Sequence, residues 1–297
     1  MKQKRTNNAA KRMNLLRIGL GVLLVGMLAA ASQTIAAGTR PSKLVVDGSS
    51  TVGPIAKAFA DYLMSQDKTR NITVNESGSG NGAKSLIEGS CDVATMSRYM
   101  KDAEFQAAYK AGRKPNAHAI AIDGIAVTVN PSNPVKTLTI AQIRDVYAGK
   151  ITRWNQLGGP NLPIVVLTRD TSSGTYETFV KLVMGKGVKM TAKAEYVGSN
   201  GQMRTRLQTV KGAIGYLGLG FVDKSVKAIR VNSIPATRRA IASGAYPLAR
   251  HLYLFTNGFP ARGSLQHKFV SLYLTPQGQE IISRLGFVPL TSYREKK

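Results

Sequence analysis

Three times in this chain an apolar run passes through a loop of Ser, Thr and Gly into residues at helical spacing. The stretches are "LVVDGSSTVGPIAKAFADYL" from Leu44, "ITVNESGSGNGAKSLIEG" from Ile72 and "IVVLTRDTSSGTYETFVKLV" from Ile164. A strand that feeds directly into a helix cannot pair at once with an antiparallel neighbour. It builds βα units, and repeated units build an α/β fold with mostly parallel strands. The rest of the chain keeps the pattern. "VATM" at Val93–Met96 reads as a strand, and Asp102 reads as the cap of a helix ending at Gly112. Thr139 caps "IAQIRDVYAGK", with Gly149 as its stop. Further helices are expected over Thr175–Val183, "SNGQMRTRLQTV", Ser264–Leu274 and Gln277–Leu285, the last closed by Gly286. Between Ala117 and Val135 lies a long extended segment, "AHAIAIDGIAVTVNPSNPV", stopped by Pro131 and Pro134. Such a segment can cross from one lobe to another.

The recurring loops have a common chemistry. A helix N-terminus carries free backbone N–H groups and a partial positive charge, and Gly, Ser and Thr let an anion approach and add hydroxyl donors. For a single loop, ordinary helix capping accounts for the same residues. Three loops at equivalent strand-to-helix junctions share one edge of an open sheet, where ligands bind. Arg169 follows its strand directly, and Ser97-Arg98 follows "VATM" in the same way. A guanidinium fork matches a tetrahedral oxyanion, although either arginine alone would serve equally as a surface ion pair.

Other chemistries find little support. Gly78–Ala83 fits a loose GxGxxA pattern, but no strand with a terminal acid follows about 20 residues on. GxxxxGK[ST] and the GxSxG nucleophile elbow are absent, and none of the three histidines, His118, His251 and His267, has a placed role or ligand spacing. The single cysteine, Cys91, cannot form an internal bridge and reads as a small buried residue beside a strand. No metal and no catalytic residue is expected.

The first 37 residues read as a secretory leader outside the fold. Six bases and no acid precede a 14-residue apolar stretch, Ile18–Ala31, and small residues lead to a cut near Ala36 or Ala37. A retained anchor is the alternative, but a membrane span needs about 20 residues. Removing those six bases from 41 leaves 35 against 16 acids, a net charge near +19 for the mature chain. That charge suits nucleic acid, an anionic surface or the steering of a small anion. The bases are scattered without aromatic interleaving, so no nucleic-acid partner is expected.

Taken in order, the motifs "DGSSTVGPIAKAFA", "SGSGNGAKSLIEGSCDVATMSR", "AIDGIAVTVNPSNPVKTLTIAQIRDVYAGKITRWNQLGG", "RDTSSGTYETF", "GAIGYL", "YPLARHLYLFTNG" and "SLYLTPQGQEIISRLGFVPL" resemble the periplasmic phosphate-binding proteins of ABC transporters. The resemblance covers nearly all of the mature chain. It implies a two-lobed type 2 periplasmic-binding-protein fold, with a two-segment hinge and phosphate held between the lobes. The implied division is residues 38–125 with 240–297 as one lobe and 126–239 as the other. The implied phosphate ligands are Ser50, Thr51, Ser79, Ser97 and Arg98 from the first lobe, and Arg169, Ser173, Gly174 and Thr175 from the second. Ser49 would only position its turn. The implied role is an exported, monomeric, non-enzymatic binding protein without a cofactor, which delivers phosphate to the membrane permease subunits of a transporter. The alternatives are an exported hydrolase holding phosphoesters in the same loops, and a phosphate-sensing or adhesion protein. In one respect the chain departs from the resemblance. Some members place an aspartate in the third loop as acceptor for a phosphate proton, where this chain has Ser97-Arg98, and that bears on discrimination against sulfate or arsenate.

Overall fold

The structure, a computed structural model, describes residues 42–290. The expected leader and its cleavage point lie outside the described residues, as do the extreme ends of the expected first lobe.

Two βα units open the fold: β1 (Lys43–Gly48), α1 (Gly53–Gln66), β2 (Asn71–Val74), α2 (Ser79–Glu88) and then β3 (Val93–Met96). β1 pairs in parallel with both β2 and β3. Ile55, Ala56, Phe59, Ala60 and Leu63 put an apolar stripe on α1, which packs on Leu44 and Val46. Pro54 sits in the first turn, where its missing N–H costs nothing. α2 begins four residues earlier than its apolar pattern suggests. A Cβ at Gly82 would lie 2.7 Å from Gly48 Cα, so the glycines that read as loop are the means by which this helix closes on β1. Cys91 is buried just before β3, and burial together with Asp47 and Asp92 pushes its thiol up to about 12. α3 (Asp102–Lys110) follows; Asp102 is its first residue rather than its cap, and Glu104 accepts from the Lys101 N–H at 2.8 Å.

The long extended segment forms a 15-residue strand, β4 (Pro115–Val129). Beyond it come β5 (Thr137–Leu138), α4 (Ile140–Tyr147), β6 (Val165–Arg169) and α5 (Gly174–Phe179), which widens into a π turn over Val180–Met184. Thr139 caps α4 as expected: its Oγ1 accepts from Gln142 N, and Gln142 Oε1 accepts from Thr139 N. β7 (Glu195–Val197), α6 (Asn200–Thr209), β8 (Ala213–Gly218), β9 (Lys227–Ala228), β10 (Arg230–Val231) and α7 (Arg238–Ala242) complete this half. The chain then returns through β11 (Ala249–Asn257), α8 (Leu265–Ser271), α9 (Pro276–Arg284) and β12 (Val288–Pro289).

The main sheet runs β2-β1-β3-β11-β4-β8-β6-β7, with β9 and β12 also on β4. Its two wings are parallel, as the βα alternation predicts, while β11, β4 and β8 in the middle run antiparallel. β4 is shared between the wings. Up to Gly124 it pairs with β11, and from Ile125 onward with β8. Each half has its own apolar core: Phe59, Phe269 and Ile282 belong to one, and Tyr147, Phe179 and Tyr216 to the other. This is the two-lobed, type 2 periplasmic binding fold.

Candidate anion-binding site

The first lobe brings two helix entrances to one point. Ser49 Oγ accepts from the N–H groups of Thr51 and Val52, which tightens the turn before α1, so Ser49 positions and Ser50 and Thr51 present. Gly78, at φ +106°, starts α2 in a conformation that suits glycine. Ser79 follows it, fully buried, and its Oγ accepts from Ser97 N at 3.1 Å.

The second lobe supplies the opposite wall. Ser173 Oγ accepts from Tyr176 N and caps α5, which leaves Gly174 and Thr175 at the helix entrance. Beneath them Phe179 and Tyr216 stack with ring centroids 3.9 Å apart, and Tyr216 Oη lies 2.7 Å from Thr168 Oγ1 and accepts from Arg169 N. That aromatic floor holds the end of β6, from which Arg169 projects.

Arg169 is 1% exposed. Its Nε donates to Val197 O at 3.1 Å, and Nη2 donates to Gly198 O at 2.7 Å and to Ser50 Oγ at 3.3 Å. Nη1 is buried with no hydrogen-bond partner in the protein. Burial pulls the guanidinium below its ordinary range, with Asp170 opposing, yet an arginine stays charged in proteins. A buried cation with an unspent donor is costly unless an anion answers it. Ser49, Ser50, Thr51, Gly78, Ser79, Arg169, Ser173, Gly174 and Thr175 line one small, tightly closed cavity. Its walls stand too close together to admit an organic substrate.

The walls meet closely. Thr51 Oγ1 and Thr175 Oγ1 are 3.0 Å apart, and Gly80 N donates to Ser172 O at 2.9 Å. A Cβ on Gly174 would sit 2.4 Å from Ser79 Oγ and 2.8 Å from Ser97 Oγ. Gly174→Ala therefore should hold the lobes apart. We expect anion affinity to fall by roughly tenfold or more, since one overpacked contact costs about 1–3 kcal/mol, with the unfolding midpoint of the ligand-free protein unchanged. Titration calorimetry beside a thermal melt checks both.

Of the nine residues expected from sequence, seven line this cavity. Ser97 stands at its edge through Ser79. Arg98 does not reach it: its Nη1 and Nη2 bind Glu104 at 2.7 and 2.6 Å. Three further residues bear on the site. Asn200, fully buried at the start of α6, donates from Nδ2 to Thr51 Oγ1 at 2.9 Å and accepts from Gly218 N. Arg250 donates to Asp123 Oδ2 at 2.9 Å, and its Nη2 lies 3.4 Å from Thr51 Oγ1. Burial pulls Asp123 and Arg250 toward their neutral forms, and each one's charge pulls the other back. The sequence held a signal for two of these. "GSNG" before α6 is a fourth small polar junction, and Asp123 is the only acid in β4. Arg250 carried none. Among the described residues no group of three or more His, Cys, Asp or Glu is placed to hold a metal ion.

A two-lobed α/β fold that closes Ser/Thr-rich helix entrances and a buried arginine around a small cavity defines a solute-binding protein. The profile described as PBP superfamily domain matches residues 31–270, and the chain belongs to that family, within its phosphate-binding branch. Protein SphX of Synechococcus elongatus is 32% identical over 266 residues, covering 83% of this chain and 77% of that protein. The phosphate-binding protein PstS of Pseudomonas aeruginosa PAO1 is 30% identical over 264 residues, covering 82% and 81%. Among solved structures, the one described as a phosphate ABC transporter substrate-binding protein with bound phosphate, from Clostridium perfringens, superimposes with a TM-score of 0.78 at 32% identity. It covers 84% of this chain, which covers 100% of it.

Proposed function

We propose that this protein captures inorganic phosphate between its two lobes and delivers it to an ABC transporter for uptake. The observation that carries the proposal is the buried Arg169, with a free donor, in a cavity walled by hydroxyls and helix entrances from both lobes. Its similarity to named phosphate-binding proteins supports the choice of ion. The binding set we propose is Ser50, Thr51, Ser79, Arg169, Ser173, Gly174 and Thr175, with Ser97 at the rim. The lobe division we propose is residues 38–125 with 240–297, and 126–239; the change of partner along β4 between Gly124 and Ile125 supports the first of these joints.

The protein binds without turning over its ligand, as a monomer, and needs no cofactor. Its basic leader and apolar stretch direct it out of the cytoplasm, with cleavage near Ala36 or Ala37. Among the described residues no helix is long and apolar enough to cross a membrane. Its transporter partners are the membrane permease subunits.

Titration calorimetry of the mature protein with phosphate tests the reading. Several charge-assisted bonds of about 1.5–3 kcal/mol each, less the cost of closure, are compatible with a micromolar constant. Thr175→Val keeps the volume, removes one hydroxyl from the cavity and with it the contact to Thr51 Oγ1 across the lobes, and should weaken binding about tenfold. An absence of heat with every oxyanion tried would end the proposal, and loss of the strain's phosphate uptake on deletion separates transport from sensing or adhesion.

A further inference from the structure

Arg98, Lys101, Glu104 and Glu177 form a cluster that the binding cavity does not use. Glu104 holds Arg98 through both terminal nitrogens, and Arg98 Nε lies 3.0 Å from Glu177 Oε2, an ion pair rather than an aligned hydrogen bond. Lys101 Nζ lies 2.7 Å from the same oxygen. Arg98 and Lys101 belong to the loop between β3 and α3, in the first lobe. Glu177 lies on α5, in the second, one turn beyond the Ser173-Gly174-Thr175 entrance. The pairing therefore bridges the lobes, and it does so on the helix that closes over the cavity. The cluster is sheltered: side-chain exposure is 8% at Arg98 and 17% at Glu177. Burial alone would depress the Arg98 charge, but Glu104 and Glu177 more than offset it. The cluster also borders an open cleft of about 610 Å³ that shares Arg250 with the surroundings of Thr51.

We infer that Glu177, gripped by Arg98 and Lys101, is a latch that holds the closed form and sets how fast the bound ion leaves. Glu104 keeps Arg98 cocked when the lobes part, so the guanidinium is already aimed when Glu177 returns. The latch touches no ligand; it acts by weighting the closed state against the open one. A pair that exists only after closure should govern release more than capture. The inference rests on the phosphate-binding function proposed above.

The test uses the full mature chain and inorganic phosphate, with calorimetry for affinity and stopped-flow release into a phosphate reporter. Glu177→Gln should weaken phosphate binding about tenfold, nearly all of it as faster release, with association within about twofold. The gap from wild type should narrow as salt is raised, because the cleft admits ions. The melting point of the ligand-free protein should hold, which separates a latch from a merely structural contact. Lys101→Met, which keeps Arg98 and Glu104 intact, should give a smaller change in the same direction. Wild-type protein that binds phosphate beside a Glu177→Gln variant with unchanged release overturns the latch alone. Wild-type protein that binds no phosphate overturns the function and the latch together.

Discussion

Arg169→Ala should lower phosphate affinity by at least about 100-fold, since two charge-assisted bonds of about 1.5–3 kcal/mol each are lost from a site closed to water. The loss is steep because nothing nearby can substitute. Arg169 is the charged residue in the cavity lining, and the remaining donors there are hydroxyls and backbone N–H groups. Removing the side chain also leaves the Gly198 carbonyl without the Arg169 donor and the Val197 carbonyl with Asp170 N alone, so a melt must accompany the titration. Arg169→Lys separates charge from shape. An ammonium keeps the charge but not the fork, and affinity should fall between wild type and Arg169→Ala. Undiminished phosphate affinity in Arg169→Ala would remove this residue from the site.

The largest effect on stability should come from Asp123→Ala. Asp123 is 1% exposed, and its Oδ2 accepts from both Nε and Nη2 of Arg250, at 3.1 and 2.9 Å. It also accepts from Leu219 N through Oδ1. Truncation leaves a buried guanidinium without its counter-charge, a change that costs about 3–5 kcal/mol. For a chain of this size that is a fall in melting temperature on the order of 10 °C, measurable by calorimetry or circular dichroism. The double variant Asp123→Ala with Arg250→Met should recover part of the loss, because it removes the stranded charge. A single variant that melts with wild type would mean that the pair contributes nothing.

The parts of the fold that depend on local patterning were legible in the sequence. β3 falls on Val93–Met96 as read, and Thr139 and Gly149 bound α4 as read. Errors arose where tertiary packing sets the boundary. α2 starts at Ser79 because Gly80 and Gly82 let the helix lie against β1 and the opposite lobe, and a glycine chosen for close approach looks in sequence like a loop. The antiparallel middle of the sheet was hidden for a similar reason. The strands β11 and β4 are far apart in the chain, and no local signal gives their direction. Within the site, the loop residues could be found because helix entrances have a compositional mark. Arg98 shows the limit of that mark. Its position after β3 matched the other junctions, but the destination of a long side chain depends on where Glu104 and Glu177 lie. Asn200 and Arg250 both act through Thr51; "GSNG" marked the first as a small polar junction, but Arg250, inside a strand, only steadies another residue and leaves almost no trace in a single sequence.

The strand common to both halves carries a restriction of its own. Ile120 and Ala121 pack in one core and Ile125, Val127 and Val129 in the other, and every residue from Asp123 to Val129 is buried. Inserting or deleting one residue between Asp123 and Ile125 would turn one half's inward residues outward relative to the other's. Length drift of the kind that surface loops tolerate is thus closed to this joint: it can bend, and its residues can be exchanged, but the count of residues through it is bound to the phase of two interiors at once.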